Sequence, residues 1–290
     1  MTSPFISVSQ LRAELAGPTP PVILDASLLL HHPEFDGDYR RDNGRPRWVA
    51  SHIPGSQHVD VSTQFSDESS ELHYAHPEPQ AIANELARIG VDAEAAVVIY
   101  DTTGTLWAAR LWYLLRWIGV NARVLDGGFA AWTADNAPVA TGEETVPAAV
   151  PTWEAHAGPN PWITKDELVR RSADDASPLV CGLPLGTFSG ASPTRYSRRG
   201  HIPGSVSVSS RDHFASDGTV VGSDQIEQSY RAAGVEVGPD AADVLLYCGG
   251  GISAAGNALT LAHVGVTAVR IYDGSLEEWS ADPSLELVVD

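Results

Sequence analysis

The sequence predicts an α/β protein made of two copies of one domain, each a mainly parallel sheet covered by helices on both faces. An internal repeat is the first reason. His52-Ile53-Pro54-Gly55-Ser56 recurs as His201-Ile202-Pro203-Gly204-Ser205, an offset of 201 − 52 = 149. Val97-Val98-Ile99-Tyr100-Asp101 recurs as Val244-Leu245-Leu246-Tyr247-Cys248, offset by 248 − 101 = 147. Asp126-Gly127-Gly128 with Trp132 recurs as Asp273-Gly274-Ser275 with Trp279, again at 147. A period this long does not suit a solenoid; it fits a duplicated domain. The second reason is that short apolar runs alternate with helical segments in each half.

The elements follow in order. A helix is seeded near Ser9, and Pro21 to Asp25 is a short apolar strand. Ala96 to Tyr100 is a second strand, and Thr105 to Trp117, rich in Trp and Leu, is a helix mostly inside the protein. Ala122 to Asp126 is a third strand, stopped by Gly127-Gly128. The second half repeats the strands at Pro178 to Cys181, Asp243 to Tyr247 and Ala268 to Tyr272. Pro147, Pro151, Pro159 and Pro161 mark a linker. The expected division is therefore a domain at 1–145, a linker at 146–160 and a domain at 161–290.

Composition excludes several functions. A net charge of −19 leaves no basic footprint for nucleic acid or an anionic membrane. Two cysteines are too few for a disulfide framework, and Cys181 and Cys248 lack the C-x-x-C spacing of a metal site. The start of the chain has neither a basic nor an apolar signal region, and no run reaches the ~20 apolar residues of a membrane span. A cytoplasmic protein with free thiols is expected, with no cofactor and no metal.

Cys248 is the centre of the expected chemistry. An apolar strand ends on it, and Gly249-Gly250-Gly251-Ile252-Ser253 leads into a helix. Backbone N–H groups of such a loop converge on an anion, and a thiol held there ionises more easily than a free one. The first copy has Asp101-Thr102-Thr103-Gly104-Thr105 instead, so its loop has lost the thiol and that copy becomes a wall of the site. Inter-domain clefts are common ligand sites, and Trp107 is placed to line this one. Cys181 ends a strand in apolar surroundings and is expected to be structural, with a resolving role toward Cys248 the alternative. His52 and His201 precede Pro-Gly turns and are expected to bond there. A phosphatase would need an arginine about six residues after the cysteine, where Ala254 stands. A cysteine protease would need an ordered histidine, and His263 lies on the following helix. The three glycines lack both G-x-G-x-x-G spacing and a P-loop lysine.

Together these motifs resemble the tandem-domain rhodanese family of sulfurtransferases, over nearly the whole chain. The resemblance implies an inactive first domain and a catalytic second one. The cysteine takes a sulfane sulfur from a small donor, holds it as a persulfide, and passes it to cyanide or a thiol, with a thioredoxin-like protein a candidate reductant. Cys248-Gly249-Gly250-Gly251-Ile252-Ser253 looks closer to the family's 3-mercaptopyruvate loop, Cys-Gly-Ser-Gly-Val-Thr, than to the thiosulfate loop with Arg and Lys after the cysteine. The loop serine falls on Gly250. Its histidine partner falls on His73 rather than His76, and the aspartate near Ser62, out of register with Asp60. Of the two arginines that hold the donor's carboxylate, one falls on Arg195 and the other near Thr187, with Arg198 or Arg199 as substitutes. The implied substrate-binding set is thus Gly249, Gly250, Gly251, Ile252, Ser253, Arg195, Arg199 and His73. The alternatives are a thiosulfate:cyanide sulfurtransferase and a non-enzymatic sulfur-relay or regulatory module.

Overall fold

The computed structural model describes residues 3–171, 175–238 and 241–290. Two five-stranded, all-parallel sheets are present, and their strand orders match once the repeat is applied. The first runs Phe5–Ile6, Ala122–Leu125, Val97–Tyr100, Val22–Asp25, Gln57–His58. The second, in the same sense, runs Trp162–Ile163, Val269–Tyr272, Val244–Tyr247, Leu179–Cys181, Val206–Ser207. Central strands are buried on every residue, as continuous apolar runs require when helices cover both faces. The helix seeded near Ser9 spans Val8–Leu15, with Ser7 and Gln10 forming a capping box.

Four edge strands have only two residues each and left no alternating pattern to read. An antiparallel hairpin, Leu28–Leu30 with Arg41–Asn43, is also new, and among the described residues the second half has no counterpart to it. Its tip crosses to the second half: Gly37 N–H donates to Thr194 O (2.8 Å), and Asp36 accepts from Thr194 N–H (2.9 Å) and from Arg199.

The helices Leu106–Trp117 and Ile252–His263, each following a repeat's central strand, pack on one another between the sheets. Their approach is close: a β-carbon on Gly256 would lie 2.6 Å from Leu106 Cδ2. One apolar cluster therefore runs through both halves. No helix among the described residues is long and apolar enough to cross a membrane.

The repeated motifs have structural work. The Tyr100 hydroxyl meets Ser56 Oγ (3.1 Å) and accepts from Ile53 N–H (3.3 Å); Tyr247 does the same with Ser205 Oγ (2.7 Å) and Ile202 N–H (3.1 Å). His52 Nδ1 bonds Trp48 O and His201 Nδ1 bonds Phe188 O, at 2.7 and 3.0 Å, and each ring stacks on that residue's aromatic ring. Both histidines thus pin the turn that presents its serine to the central-strand tyrosine.

Candidate active site

The strand Val244–Tyr247 delivers Cys248 to a loop that the next repeat motif holds in place. Cys248 N–H donates to Ser275 Oγ (3.0 Å), while the Cys248 and Gly249 carbonyls accept from Leu276 and Glu277 N–H (3.1 and 3.0 Å). These groups belong to the first turn of Ser275–Ala281, a ready set of backbone donors. Gly251 caps the next helix at φ 79°, a conformation glycine adopts without a β-carbon penalty.

The first copy shows where such a loop directs its N–H groups. Asp101 replaces the cysteine and is buried. Its Oδ1 accepts from Thr103 and Thr105 N–H (2.8 and 2.9 Å), and its Oδ2 from Trp107 and Ala108 N–H (3.1 and 3.0 Å). Four main-chain donors thus surround one anionic side chain. Counted from the two helix starts, Leu106 and Ile252, the donors on Trp107 and Ala108 correspond to those on Ser253 and Ala254. The connection is shorter in the second copy, residues 248–251 against 101–105. A side chain at the strand's end in either copy therefore faces a helix N-terminus, which favours negative charge.

Cys248 lies at the wall of a cavity of about 300 Å³ between the two halves. Gly249, Gly250, Ile252 and Ser253 line it beside the cysteine, and Leu28 to Leu30, Tyr39, Tyr74, Leu106 and Trp107 close it from the first domain. Thr187, Arg195, Tyr196 and Arg211 complete the second domain's side. Cys248 is only 1% exposed, so the open face is small and the loop backbone covers the rest.

Two cations reach the cavity. Arg195 donates to His31 O across the domain junction, and its Nε is buried without a partner. Arg211, on the 3₁₀ turn Ser210–His213, makes no ion pair among the described residues. Partial burial, and then the charge of Arg195, depress the Arg211 pKa. Two guanidiniums on a cavity wall that no carboxylate lines, among the described residues, suit an anionic ligand.

Several sequence-derived positions lie elsewhere. Arg199 is not on the cavity; its Nε donates to both oxygens of Asp36 (2.9 and 3.0 Å) and ties the hairpin tip down. Arg198 is engaged by the carbonyls of Ser280, Asp282 and Leu285. The His73 ring is turned to Glu277 Oε1 (2.5 Å from Nδ1) and stacks on Tyr39, so only its carbonyl approaches Gly250. Asp60 is occupied by Ser62 N–H and Oγ–H, and neither residue lines the cavity. Gly251 shapes the loop without facing the cavity. Cys181 packs with Leu245 and Tyr247 on the sheet face opposite the cluster that holds Cys248. Burial pushes its thiol up to about 12, which suits an inert structural residue.

Sequence reasoning missed Arg211, Tyr39, Tyr74 and Tyr196. None lies in a repeated motif: the three tyrosines sit on irregular segments and Arg211 on a short 3₁₀ turn, and no periodicity encodes their direction.

Comparison with known proteins agrees with this fold. The rhodanese-like domain model matches residues 7–135 and 189–282. Human 3-mercaptopyruvate sulfurtransferase is 31% identical over 275 residues, covering 93% of this chain and 88% of that one. Thiosulfate/3-mercaptopyruvate sulfurtransferase 1 of Arabidopsis thaliana is 28% identical over 308 residues, covering 99% and 78%. The crystal structure of SseA from Escherichia coli, described as a 3-mercaptopyruvate sulfotransferase with the rhodanese fold, superposes with a TM-score of 0.79 at 25% identity, covering 94% of this chain and 99% of that one. With both copies of the domain matched and relatives of this kind aligned along nearly its whole length, the chain belongs to the rhodanese-like family, as a tandem-domain sulfurtransferase.

Proposed function

We propose that Cys248 carries the transferred sulfur as a persulfide, that 3-mercaptopyruvate is the favoured donor, and that a thiol or cyanide is the acceptor. The Asp101 carboxylate carries this reading: the fold gathers four N–H donors onto the side chain that ends this strand, and Cys248 ends the corresponding strand in the other copy.

The Cys248 thiolate attacks the donor's sulfur. An S–S bond forms, the donor's C–S bond breaks, and its electron pair leaves as pyruvate enolate, which takes a proton from water. The sulfhydryl proton stays on the persulfide. N–H groups of the loop and helix start stabilise the Cys248 thiolate as it attacks, and again as the acceptor regenerates it; removing one such donor typically costs about 10²–10³ in rate. Arg195 and Arg211 hold the donor's carboxylate. The acceptor thiolate then attacks the outer sulfur and regenerates the Cys248 thiolate. A thioredoxin-like reductant is the proposed protein acceptor, and the cytoplasm the proposed compartment, since both cysteines are free.

Steady-state kinetics with the two donors tests the assignment. We expect a higher kcat/KM for 3-mercaptopyruvate than for thiosulfate. Arg211→Gln is expected to raise KM for 3-mercaptopyruvate roughly 10–100-fold, as for loss of a charge-assisted hydrogen bond. A strong preference for thiosulfate favours the thiosulfate:cyanide alternative and overturns the donor assignment.

A further inference from the structure

Tyr196 stands closer to the persulfide loop than its place in the sequence suggests. A β-carbon on Gly249 would overlap Tyr196 Oη, so the phenol rests on the main chain directly after Cys248. Tyr196 lines the same cavity as Cys248. Its N–H donates to Thr194 Oγ1 (3.3 Å), but its hydroxyl has no hydrogen-bond partner among the described residues. Burial, and then the charge of Cys248, raise the phenol's pKa far above its ordinary value, so the group keeps its proton and acts as a donor.

The segment that presents the phenol is clamped on both sides. Before it, Thr194 bonds the hairpin tip through Asp36 Oδ1 (2.9 Å) and Gly37 N–H (2.8 Å). After it, Ser197 N–H donates to Ser280 Oγ (3.2 Å). The three residues directly after the cysteine, Gly249, Gly250 and Gly251, carry no hydroxyl.

Resting on the reading of Cys248 as the sulfur carrier, we infer that the Tyr196 hydroxyl, unpartnered in the resting structure, turns to sulfur on Cys248 during the reaction as a catalytic hydrogen-bond donor, to the attacking thiolate and then to the persulfide. No proton is transferred in this role. The hydroxyl favours the anionic sulfur, and glycine at 249 is the opening that admits it.

The test is Tyr196→Phe in the full chain, with site-resolved iodoacetamide alkylation of Cys248 followed against pH. The midpoint is expected to move to higher pH. Sulfur loading from 3-mercaptopyruvate is expected to fall about 10–100-fold, as for a hydrogen bond to a charged group. Tyr196→Leu, which also lacks the hydroxyl, must displace the midpoint in the same direction. Gly250→Ser in the Tyr196→Phe background is expected to recover part of the loading by returning a hydroxyl to the loop. An unmoved midpoint and unchanged loading, in a variant that melts with the wild type, overturn the inference. If wild type gains no sulfur from any donor while Tyr196→Phe still moves the midpoint, the hydrogen bond stands and the sulfur-carrier reading falls.

Discussion

Arg110→Ala is expected to destabilise the protein by about 3–5 kcal/mol, the scale of a broken buried ion pair. Arg110 belongs to the first domain's buried helix, and its side chain is fully inaccessible. It donates to Asp273 Oδ1 (2.6 Å) and Oδ2 (3.2 Å) of the second domain and to Tyr74 O (2.7 Å). Its guanidinium also lies 5.1 Å from the Trp162 ring centroid. Without it, Asp273 keeps only the His76 N–H (2.6 Å) as a described partner outside its own segment, and its charge stays in a low-dielectric junction. Tyr74, held at φ 62° where a bulky residue is strained, loses the grip on its carbonyl. Activity should fall with stability, since Asp273 abuts Gly251 in the loop. Urea unfolding provides the check: the midpoint should drop at nearly constant slope. Removing both charges with Arg110→Met and Asp273→Leu should cost less than Arg110→Ala alone, because no unpaired carboxylate remains. A loss below about 1 kcal/mol for Arg110→Ala would contradict the junction described above.

The three loop glycines should respond differently to alanine. On Gly251 the new β-carbon would sit 2.5 Å from Asp273 Oδ1 and 2.8 Å from Arg110 Nη1, at a positive φ of 79°. On Gly249 it would take the place of Tyr196 Oη. On Gly250 its nearest neighbour would be Glu277 Oε2 at 3.5 Å, an ordinary contact. Gly249→Ala and Gly251→Ala are thus expected to cut persulfide formation by at least about tenfold, since backbone donors displaced from their target lose most of their effect. Gly250→Ala should fold and turn over within a few-fold of wild type. Gly250→Ser should fit equally well and bring a hydroxyl within reach of Glu277. Single-turnover loading of the three alanine variants decides the matter, and equal losses at all three positions would show that the loop geometry is not selective in this way.

The sequence repeat made much of this legible. Anchors at nearly one offset placed corresponding strands in corresponding sheets, and Cys248 against Asp101 at the same strand end pointed to the cleft between the copies. The comparison could not show that Asp101 collects four N–H bonds, because that depends on the turn between strand and helix. The choice of arginine was also out of reach. Arg195, Arg198 and Arg199 lie within one short segment, yet the first faces the cavity, the second is spent on carbonyls and the third on Asp36. Arg211 enters from a 3₁₀ turn with no periodicity to betray its direction. His73 was drawn to the site by alignment, but Glu277, distant in sequence, takes its ring. In each case a long-range polar partner set the side chain's direction.

Intact-mass measurement after a brief incubation with 3-mercaptopyruvate tests the central claim most directly. Wild type should gain the mass of one sulfur, released on adding cyanide or a thiol, and Cys248→Ser should gain none. A sulfur retained by Cys248→Ser, or a wild type left unmodified by 3-mercaptopyruvate and thiosulfate alike, would contradict it.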